Sequence, residues 1–217
     1  MDVFTAMSDR QSARVYLSKP VKRADVEEIF KYAGRAPSAI NLQPWEYVIV
    51  YGEEKDRLVR RLKKAQAESK VSCGPGTENP LPDRFKNRSR QASAAMAPKI
   101  AEMGREFDAF VEEGSCSFYG APIAIIVTID RIFPKIRYLD VGLSVSYLLL
   151  AAQAKGLATC PIGLVSAYAQ DIAEALDIPP NKEVILAIAL GYADPQSPVN
   201  QFKTGRENPD EIRSWYE

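Results

Sequence analysis

Two arginines and a hydroxyl lie within five residues near the start of the chain: Arg10, Ser12 and Arg14. Guanidinium groups bind phosphate oxygens in a bidentate manner, and a hydroxyl adds a short hydrogen-bond donor. The cluster therefore suits a dianionic phosphate, although arginines at this spacing are more often a solvated surface. Arg206 and the nearby Lys203 are either surface charge in the tail or a second part of the same site.

Residues 37–45 form a loop in which two prolines exclude a helix or a regular strand. Ser38, Asn41 and Gln43 place hydroxyl and amide groups on this constrained backbone. Such groups suit the edge of a planar heterocycle. The alternative, which the loop alone favours, is a turn in which a buried Trp45 closes the core.

Residues 159–163 are predicted to form a tight turn that offers backbone N–H groups, with Gly163 allowing the close approach of a ring. The alternative is an ordinary connector. Cys160 lies in this turn. Because its neighbours are apolar and the chain has no histidine to activate it, we expect a buried structural thiol.

The composition excludes several function classes. The absence of histidine removes Ser-His-Asp and Cys-His nucleophiles and histidine metal sites, so no metal site is indicated. Twenty-eight acidic and 28 basic residues leave no global field for nucleic acid or an anionic membrane. The three cysteines form no CxxC pair, and the N-terminus lacks the pattern of a signal peptide, so we expect a cytoplasmic protein. GxGxxG and P-loop motifs are missing. If the chain is an enzyme, a bound group supplies its reactivity.

The element that organises the chain is a long apolar helix, predicted between an N-cap at Asp140 and a C′ residue at Gly156. It is too short and too often interrupted by polar residues to span a bilayer, which needs about 20 residues. A helix that is apolar on all sides is buried on all sides, so a second copy of the chain is expected to cover part of it.

The remaining periodicities predict one domain, residues 1–217, in which helices cover both faces of a central sheet. We interpret this as an α+β or three-layer α/β/α domain. The predicted strands are 46–51, 122–129 and 184–190, and the predicted helices are 2–8, 21–33, 53–70, 91–113 and 167–176. Residues 71–90 are predicted to be irregular.

Taken together, the motifs resemble the FMN-dependent nitroreductase family over about residues 3–212. The order is Arg-x-Ser-x-Arg at 10–14, APSAINLQPW at 36–45, Asp-Val-Gly opening the apolar helix at 140, AAQAKGLATC at 151–160, GYADP at 191–195, and a late Arg206. The resemblance implies a central mixed sheet, an intertwined homodimer and two FMN molecules at the subunit interface.

The resemblance also assigns roles to residues. Arg10, Ser12, Arg14 and Arg206 would hold the FMN phosphate, with Gln11 and Lys203 beside them. Pro37, Ser38, Ala39 and Asn41 would reach the flavin of the partner subunit. Pro161, Ile162, Gly163 and Leu164 would lie against the ring, with the Gly163 N–H directed at flavin N5. NAD(P)H would pass a hydride to N5 and leave before a small-molecule acceptor binds, which gives ping-pong kinetics and no catalytic side chain.

The acceptor is left open by the sequence. Residues 71–118 match the family only loosely and are expected to cover the substrate pocket, with Phe107, Phe110, Phe118 and Tyr119 divided between pocket and core. Gln66, Lys70 and Arg88 are candidates to lie near flavin N1/O2, and residues 191–217 are expected to extend over the partner. Nitroaromatics and quinones are the expected acceptors. The alternatives are reductive dehalogenation or enone reduction, a non-catalytic flavin-binding module, and a structural dimer with a solvated arginine cluster.

Overall fold

The computed structural model describes residues 1–71 and 80–217, so Cys73 lies outside the described residues. Its α-helices are α1 (Val3–Asp9), α2 (Arg23–Ala33), α3 (Gly52–Glu68), α4 (Asp83–Glu102), α5 (Phe107–Cys116), α6 (Tyr138–Ala154) and α7 (Ala169–Ala175). Its strands are β1 (Trp45–Tyr51), β2 (Ile123–Asp130), β3 (Ala158–Ile162) and β4 (Lys182–Gly191). Among the described helices, none has the length and apolarity needed to cross a bilayer.

The four strands form one sheet in the order β1-β2-β4-β3. Every strand pairing is antiparallel, with Val50 opposite Ala124, Ile125 opposite Ile188 and Cys160 opposite Ala189. The expected mixed sheet is therefore antiparallel within the described chain. The one parallel contact that we find there is an isolated bridge between Ser12 and Thr159. Strands β1 and β3 are the two edges.

The sheet is covered on both faces, because successive side chains of a strand point to opposite sides. Ile125 and Val127 of β2 pack with α2 and α6, whereas Ala124 and Ile126 pack with α3 and α7. This continuous apolar strand is buried on both sides, as predicted. The α+β, three-layer α/β/α interpretation is confirmed.

Helix α6 ends as predicted and begins differently. Gly156 has φ +72°, its N–H bonds to Gln153 O, and the Leu157 N–H bonds to Ala152 O, which together form a Schellman motif. At the other end the helix starts at Tyr138. Asp140 lies inside the first turn, where its carboxylate is 3.0 Å from Arg137 Nη1, so the prediction that it caps the helix is wrong.

Within the single chain, α6 is buried on one side only, which agrees with the expectation that one chain does not cover it completely. Leu148 is fully buried, and the Ser144 hydroxyl donates to Ala33 O at 3.0 Å. A stripe along the other side is open to solvent: Leu139 is 65% exposed, and Leu143 and Tyr147 are each 42% exposed.

The region after α3 is more helical than its composition indicated. The prediction that residues 71–90 are irregular is wrong for 83–90, because α4 begins directly after Pro82 with Asp83 in its first turn. The predicted single helix over 91–113 is in fact two. Gly104, at φ +68°, ends α4, and α5 starts at Phe107, whereas Pro98 is accommodated inside α4.

Candidate active site

The arginine-rich segment after α1 lies against the edge strand β3. Ser12 pairs with Thr159, and the Ala13 N–H donates to Thr159 O at 3.0 Å. The predicted tight turn at 159–163 is therefore wrong for its first four residues, which belong to a strand. Pro161 is tolerated there because an edge strand leaves one row of N–H groups unpaired. The two motifs predicted separately are thus fixed side by side.

Asn200, which lies in the tail, holds this segment in place. Sequence reasoning missed it, because an asparagine near a proline is its only local signal. The residue is only 7% exposed. Oδ1 accepts from the Arg14 N–H at 2.9 Å, and Nδ2 donates to Val15 O at 2.8 Å. Gln11 Nε2 donates to the Asn200 carbonyl at 2.6 Å. Residues 11–15 and 200 therefore form one unit.

A cleft of about 300 Å³ results, which we call the basic cleft. It is lined by Arg10, Gln11, Ser12, Arg14, Lys203, Thr204 and Arg206, with Asp9 as its one carboxylate among the described residues. None of its four cations forms an ion pair with a described acid, so like charges face one another here. Lys203 and Arg206 of the tail thus lie beside the segment 10–14, as expected if they form a second part of the same site. Such a cleft attracts an anion.

Gln11 adds a second kind of group to the cleft. Its Oε1 is buried and lacks a hydrogen-bond partner among the described residues. Because Nε2 is engaged with a carbonyl, Oε1 is fixed as an acceptor, which suits a hydroxyl donor and not a phosphate oxygen. The cleft therefore fits a ligand that carries both a phosphate and hydroxyl groups.

A larger cavity of about 580 Å³ lies beside the cleft, and we call it the roofed cavity. Arg14 lines both spaces. The floor comes from the end of β3 and the following residues, including Pro161, Ile162, Gly163 and Leu164, and the roof comes from α4 and α5. The predicted ring-contacting residues are therefore next to the predicted phosphate-binding residues.

The absence of a side chain at Gly163 opens space beside the backbone, and it is not required by the backbone conformation. Its φ of −75° and ψ of −31° are accessible to any residue. A Cβ built there meets no atom within 4 Å. The glycine therefore leaves open a space that a flat ligand can fill.

The roof presents two helix faces to the cavity. From α4 come Ser89, Ser93 and Met96, and from α5 come Phe107, Asp108, Val111, Glu112 and Ser115, followed by Tyr119. Of the four aromatic candidates, Phe107 and Tyr119 line the cavity, whereas Phe110 and Phe118 are buried core residues. Two of the four are therefore core residues, as expected.

Tyr119 is held in the cavity wall by strained backbone. Phe118 and Tyr119 have φ of +52° and +53°, a conformation that non-glycine residues seldom adopt. The Tyr119 ring fills the space above Gly114, where a Cβ would come within 2.2 Å of its Cε1. Burial raises the pKa of the Tyr119 hydroxyl, so it stays protonated. Strain of this kind persists only where packing enforces it, and it concentrates at functional sites.

Cys160 also lines the cavity and behaves as a structural thiol. Burial is the main cause that raises its pKa, which keeps the thiol protonated and unreactive at neutral pH. Cys116 is fully buried, and burial raises its pKa to about 11.

The three candidates for flavin N1/O2 are absent from the residues that line the roofed cavity. Lys70 forms an ion pair at 2.9 Å with Glu112, which lines the cavity. Arg88 lies 2.9 Å from Glu207. Lys70 thus touches the cavity through its partner, and Arg14 is the described cation that lines it directly.

The loop after α2 is the part of the predicted site that the single chain leaves outside. Pro37, Ser38, Ala39 and Asn41 line neither the basic cleft nor the roofed cavity. The loop is strained, with φ of +43° at Ile40, +61° at Asn41 and +48° at Gln43. Ile40 is 91% exposed, and the Gln43 N–H is tied to Ser38 Oγ at 3.0 Å. Trp45 is half-buried against the core, which agrees in part with the simpler interpretation of this loop.

Comparison with known proteins decides the family. The model of the nitroreductase family matches residues 7–192. The chain belongs to the nitroreductase family. The matched residues include the segment 10–14 of the basic cleft and the floor and roof of the roofed cavity, and the match ends before Lys203 and Arg206.

Relatives of this nitroreductase-family chain agree in sequence and in fold. The 4-nitrobenzoate reductase of Pseudomonas putida is 29% identical over 211 residues, which cover 95% of this chain and 92% of that protein. The FMN- and NADPH-dependent nitroreductase NfnB of Sphigopyxis sp. strain HMH superposes with a TM-score of 0.91 at 25% identity over the whole of both chains. The FMN-dependent nitroreductase NfnB of Mycobacterium smegmatis, solved in complex with NADPH, gives 0.88 at 27% identity, again over both whole chains.

Proposed function

We propose that this nitroreductase-family enzyme, an NAD(P)H-dependent FMN oxidoreductase, works by a ping-pong mechanism on an electron-poor small molecule such as a nitroaromatic or a quinone. When bound, the flavin supplies the redox chemistry, because it accepts a hydride from the nicotinamide and delivers it to the second substrate. The main support for this function is that the basic cleft and the roofed cavity lie side by side, with Arg14 lining both. The side chains supply binding, orientation and exclusion of water.

The basic cleft is proposed to hold the FMN phosphate. Arg10, Ser12 and Arg206 supply charged and hydroxyl donors, and Lys203 adds a further positive charge. Gln11 accepts a hydrogen bond from a hydroxyl through its unpaired Oε1. Arg14, which the resemblance assigned to the phosphate alone, is proposed to act at the junction of phosphate and ring, because it lines both spaces.

Pro161, Ile162, Gly163 and Leu164 are proposed to support the ring, with the Gly163 N–H as the donor to N5. The open space at Gly163 supports this role, because a flat group can lie against the backbone there without meeting a side chain. The roof formed by α4 and α5 keeps water out of the acceptor site and corresponds to part of the proposed cover, residues 71–118.

A homodimer is proposed to complete the site. The exposed stripe of α6 contains Leu139, Leu143 and Tyr147, with Gly142 and Ser146 between them to permit close approach. Full burial of a large apolar side chain contributes about 1.5–3 kcal/mol. In the dimer, Pro37, Ser38, Ala39 and Asn41 of one subunit reach the flavin of the other, which explains why the strained loop lies outside the cavities of its own chain.

The C-terminal tail, residues 191–217, is proposed to extend over the partner. Beyond Asn200 it exposes Ile212, Trp215 and Tyr216 by 70%, 80% and 96%. The edge strand β1 carries an apolar groove of about 690 Å³ lined by Val21, Phe30, Ile49 and Tyr51, among others. A groove of this kind beside an unpaired strand edge suits such a tail. We also propose a cytoplasmic location, in keeping with the two free buried thiols.

The proposal is tested by steady-state kinetics with NADPH and a nitroaromatic or a quinone. Parallel double-reciprocal plots, and bleaching of the flavin by NAD(P)H in the absence of an acceptor, are the expected results. Intersecting plots would contradict the ping-pong order. A bound flavin that NAD(P)H cannot reduce would identify a non-catalytic binding module.

A further inference from the structure

The roofed cavity is electrically polarised. Arg14 lies where the cavity meets the basic cleft, and its guanidinium carbon is 6.0 Å from the centre of the Tyr119 ring. On the α5 side the cavity is lined by Asp108, Glu112 and Ser115. These positions are spaced at intervals of three and four residues, so one helix face brings two acidic residues and a serine to the wall of the same space. The cavity is therefore basic at its floor and acidic under its roof.

Glu112 is the unusual member of this face. It is only 4% exposed, and a buried carboxylate is unfavourable unless it is paired. Its partner, the Lys70 ammonium at 2.9 Å, belongs to a side chain that is 66% exposed. The positive partner thus lies toward solvent, whereas Glu112 is a buried residue of the cavity wall.

One ammonium does not neutralise the roof. Asp108 forms no ion pair with a residue in the described part of the chain, and it lines the cavity with Glu112. The hydrogen bond that Lys70 donates to the Glu112 carboxylate is the main cause that raises the pKa of Lys70, and the charges of Glu112, Asp108 and Glu106 raise it further. The surroundings of Lys70 are therefore negative overall.

We propose that Glu112, supported by Asp108, sets acceptor specificity: it disfavours acceptors that carry a carboxylate away from their electron-poor group and favours neutral or cationic ones. This inference rests on the proposed function, because it presumes that the electron-poor end of the acceptor lies toward Arg14 and Gly163. The expected preference is opposite to the activity that names the Pseudomonas putida relative, a 4-nitrobenzoate reductase.

The physical reason is the interaction between like charges in a cavity of low polarity. Two carboxylates about 6 Å apart repel each other there much more strongly than in water. A neutral alcohol avoids this repulsion and can donate to the carboxylate, and an ammonium gains a charge-assisted hydrogen bond. We expect at least about tenfold discrimination between alcohol and carboxylate.

Equilibrium binding tests this without turnover. The FMN-loaded protein is titrated by calorimetry with benzylamine, benzyl alcohol and benzoate, three probes of similar size that cannot be reduced. Benzylamine and benzyl alcohol should bind more tightly than benzoate, and Glu112→Gln should reduce the discrimination to about threefold or less. The matched control is Glu113→Gln. Glu113 is adjacent on α5, pairs with Arg105 at 2.6 Å and does not line the roofed cavity, so discrimination should stay at the wild-type value.

The kcat/KM values for 4-nitrobenzylamine, 4-nitrobenzyl alcohol and 4-nitrobenzoate should follow the same order and respond to the same variant. Benzoate binding as tightly as benzyl alcohol in the wild type, or undiminished discrimination in Glu112→Gln, would overturn the inference. If Glu112→Gln does not fold, Asp108→Asn is used in its place, because Asp108 is exposed and its replacement is tolerated more easily. This variant should also reduce the difference in affinity between benzoate and benzyl alcohol. Failure of NAD(P)H to reduce the flavin would refute the proposed function and not the binding order.

Discussion

Replacing Arg206 with alanine isolates the electrostatic part of the proposed cofactor site. The Arg206 Nη1 bonds only within its own loop, to Thr204 Oγ1 at 2.8 Å and to the Gly205 carbonyl at 2.9 Å. No described carboxylate pairs with it, so its charge is available to a ligand in the basic cleft. Its loss should therefore weaken anion binding without removing a contact that holds the fold together.

The magnitude follows from the exposure of the side chain. A hydrogen bond to a charged group contributes about 1.5–3 kcal/mol, and the lower value applies because Arg206 is exposed in the free chain. This corresponds to about a tenfold increase in the FMN dissociation constant. Since one of four cations is removed, the affinity should also depend less steeply on salt.

The assay is a titration of the apoprotein with FMN, followed by quenching of flavin fluorescence, at low and at high salt. Arg131→Ala is the matched control, because Arg131 is a surface arginine near Glu183, outside both cavities. It should leave FMN affinity unchanged, and both variants should keep the melting temperature of the wild-type apoprotein. An FMN affinity for Arg206→Ala within about twofold of the wild-type value would refute the assignment of Arg206 to the phosphate.

Three further predictions concern single positions. Gly163→Val should leave the apoprotein as stable as the wild type, because its backbone angles suit any residue, but should weaken FMN binding by at least about tenfold; unchanged affinity would contradict a ring lying there. Gly114→Ala should lower the melting temperature and disturb Tyr119, since the new Cβ would lie 2.2 Å from the ring. The control Gly34→Ala should leave the melting temperature unchanged, because its Cβ would meet only ordinary contacts at 3.5 Å. Equal stability of the two variants would show that the ring moves freely. Cys116 should resist alkylation in the native protein up to about pH 10, because its pKa is raised to about 11. The folded state binds this proton more tightly than the unfolded state, so the contribution of Cys116 to stability should fall as the pH rises from about 8.5 through about 11. Rapid labelling of the native protein at pH 8, detected by mass spectrometry, would contradict this.

The order of helices and strands could be read from the sequence because it depends on local pattern. The continuous apolar run of β2 and the helical stripe of α3, with Leu58 and Leu62, both follow from periodicity. The end of α6 was equally clear, since Gly156 adopts the positive φ that a C′ residue requires.

Features that depend on distant contacts could not be read in this way. β3 resembles a turn in sequence because it contains a proline, and only its pairing with β4 makes it a strand. α4 begins in a polar stretch with almost no apolar stripe, so periodicity gave no signal. The exposure of Leu143 and Tyr147 depends on which side of α6 the rest of the chain covers.

The candidate site was predictable in its residue types and not in its assembly. The arginine and glycine motifs marked the basic cleft and the floor of the roofed cavity. The clamp by Asn200 joins residues 186 positions apart, and the acidic face of α5 becomes part of the site only because α5 and the end of β3 line the same cavity. Neither leaves a local pattern in the sequence.

In the proposed dimer, two copies of the chain hold the flavin between them. Sedimentation equilibrium of the FMN-loaded protein, recorded at the absorbance of protein and of flavin, shows whether the flavin travels with two chains or with one. We predict one species of about twice the 24.1 kDa chain mass that carries the flavin, and we predict that Leu143→Asp on the exposed stripe of α6 yields a colourless monomer. A flavin that sediments with a single chain, in the wild type or in the variant, would contradict the account.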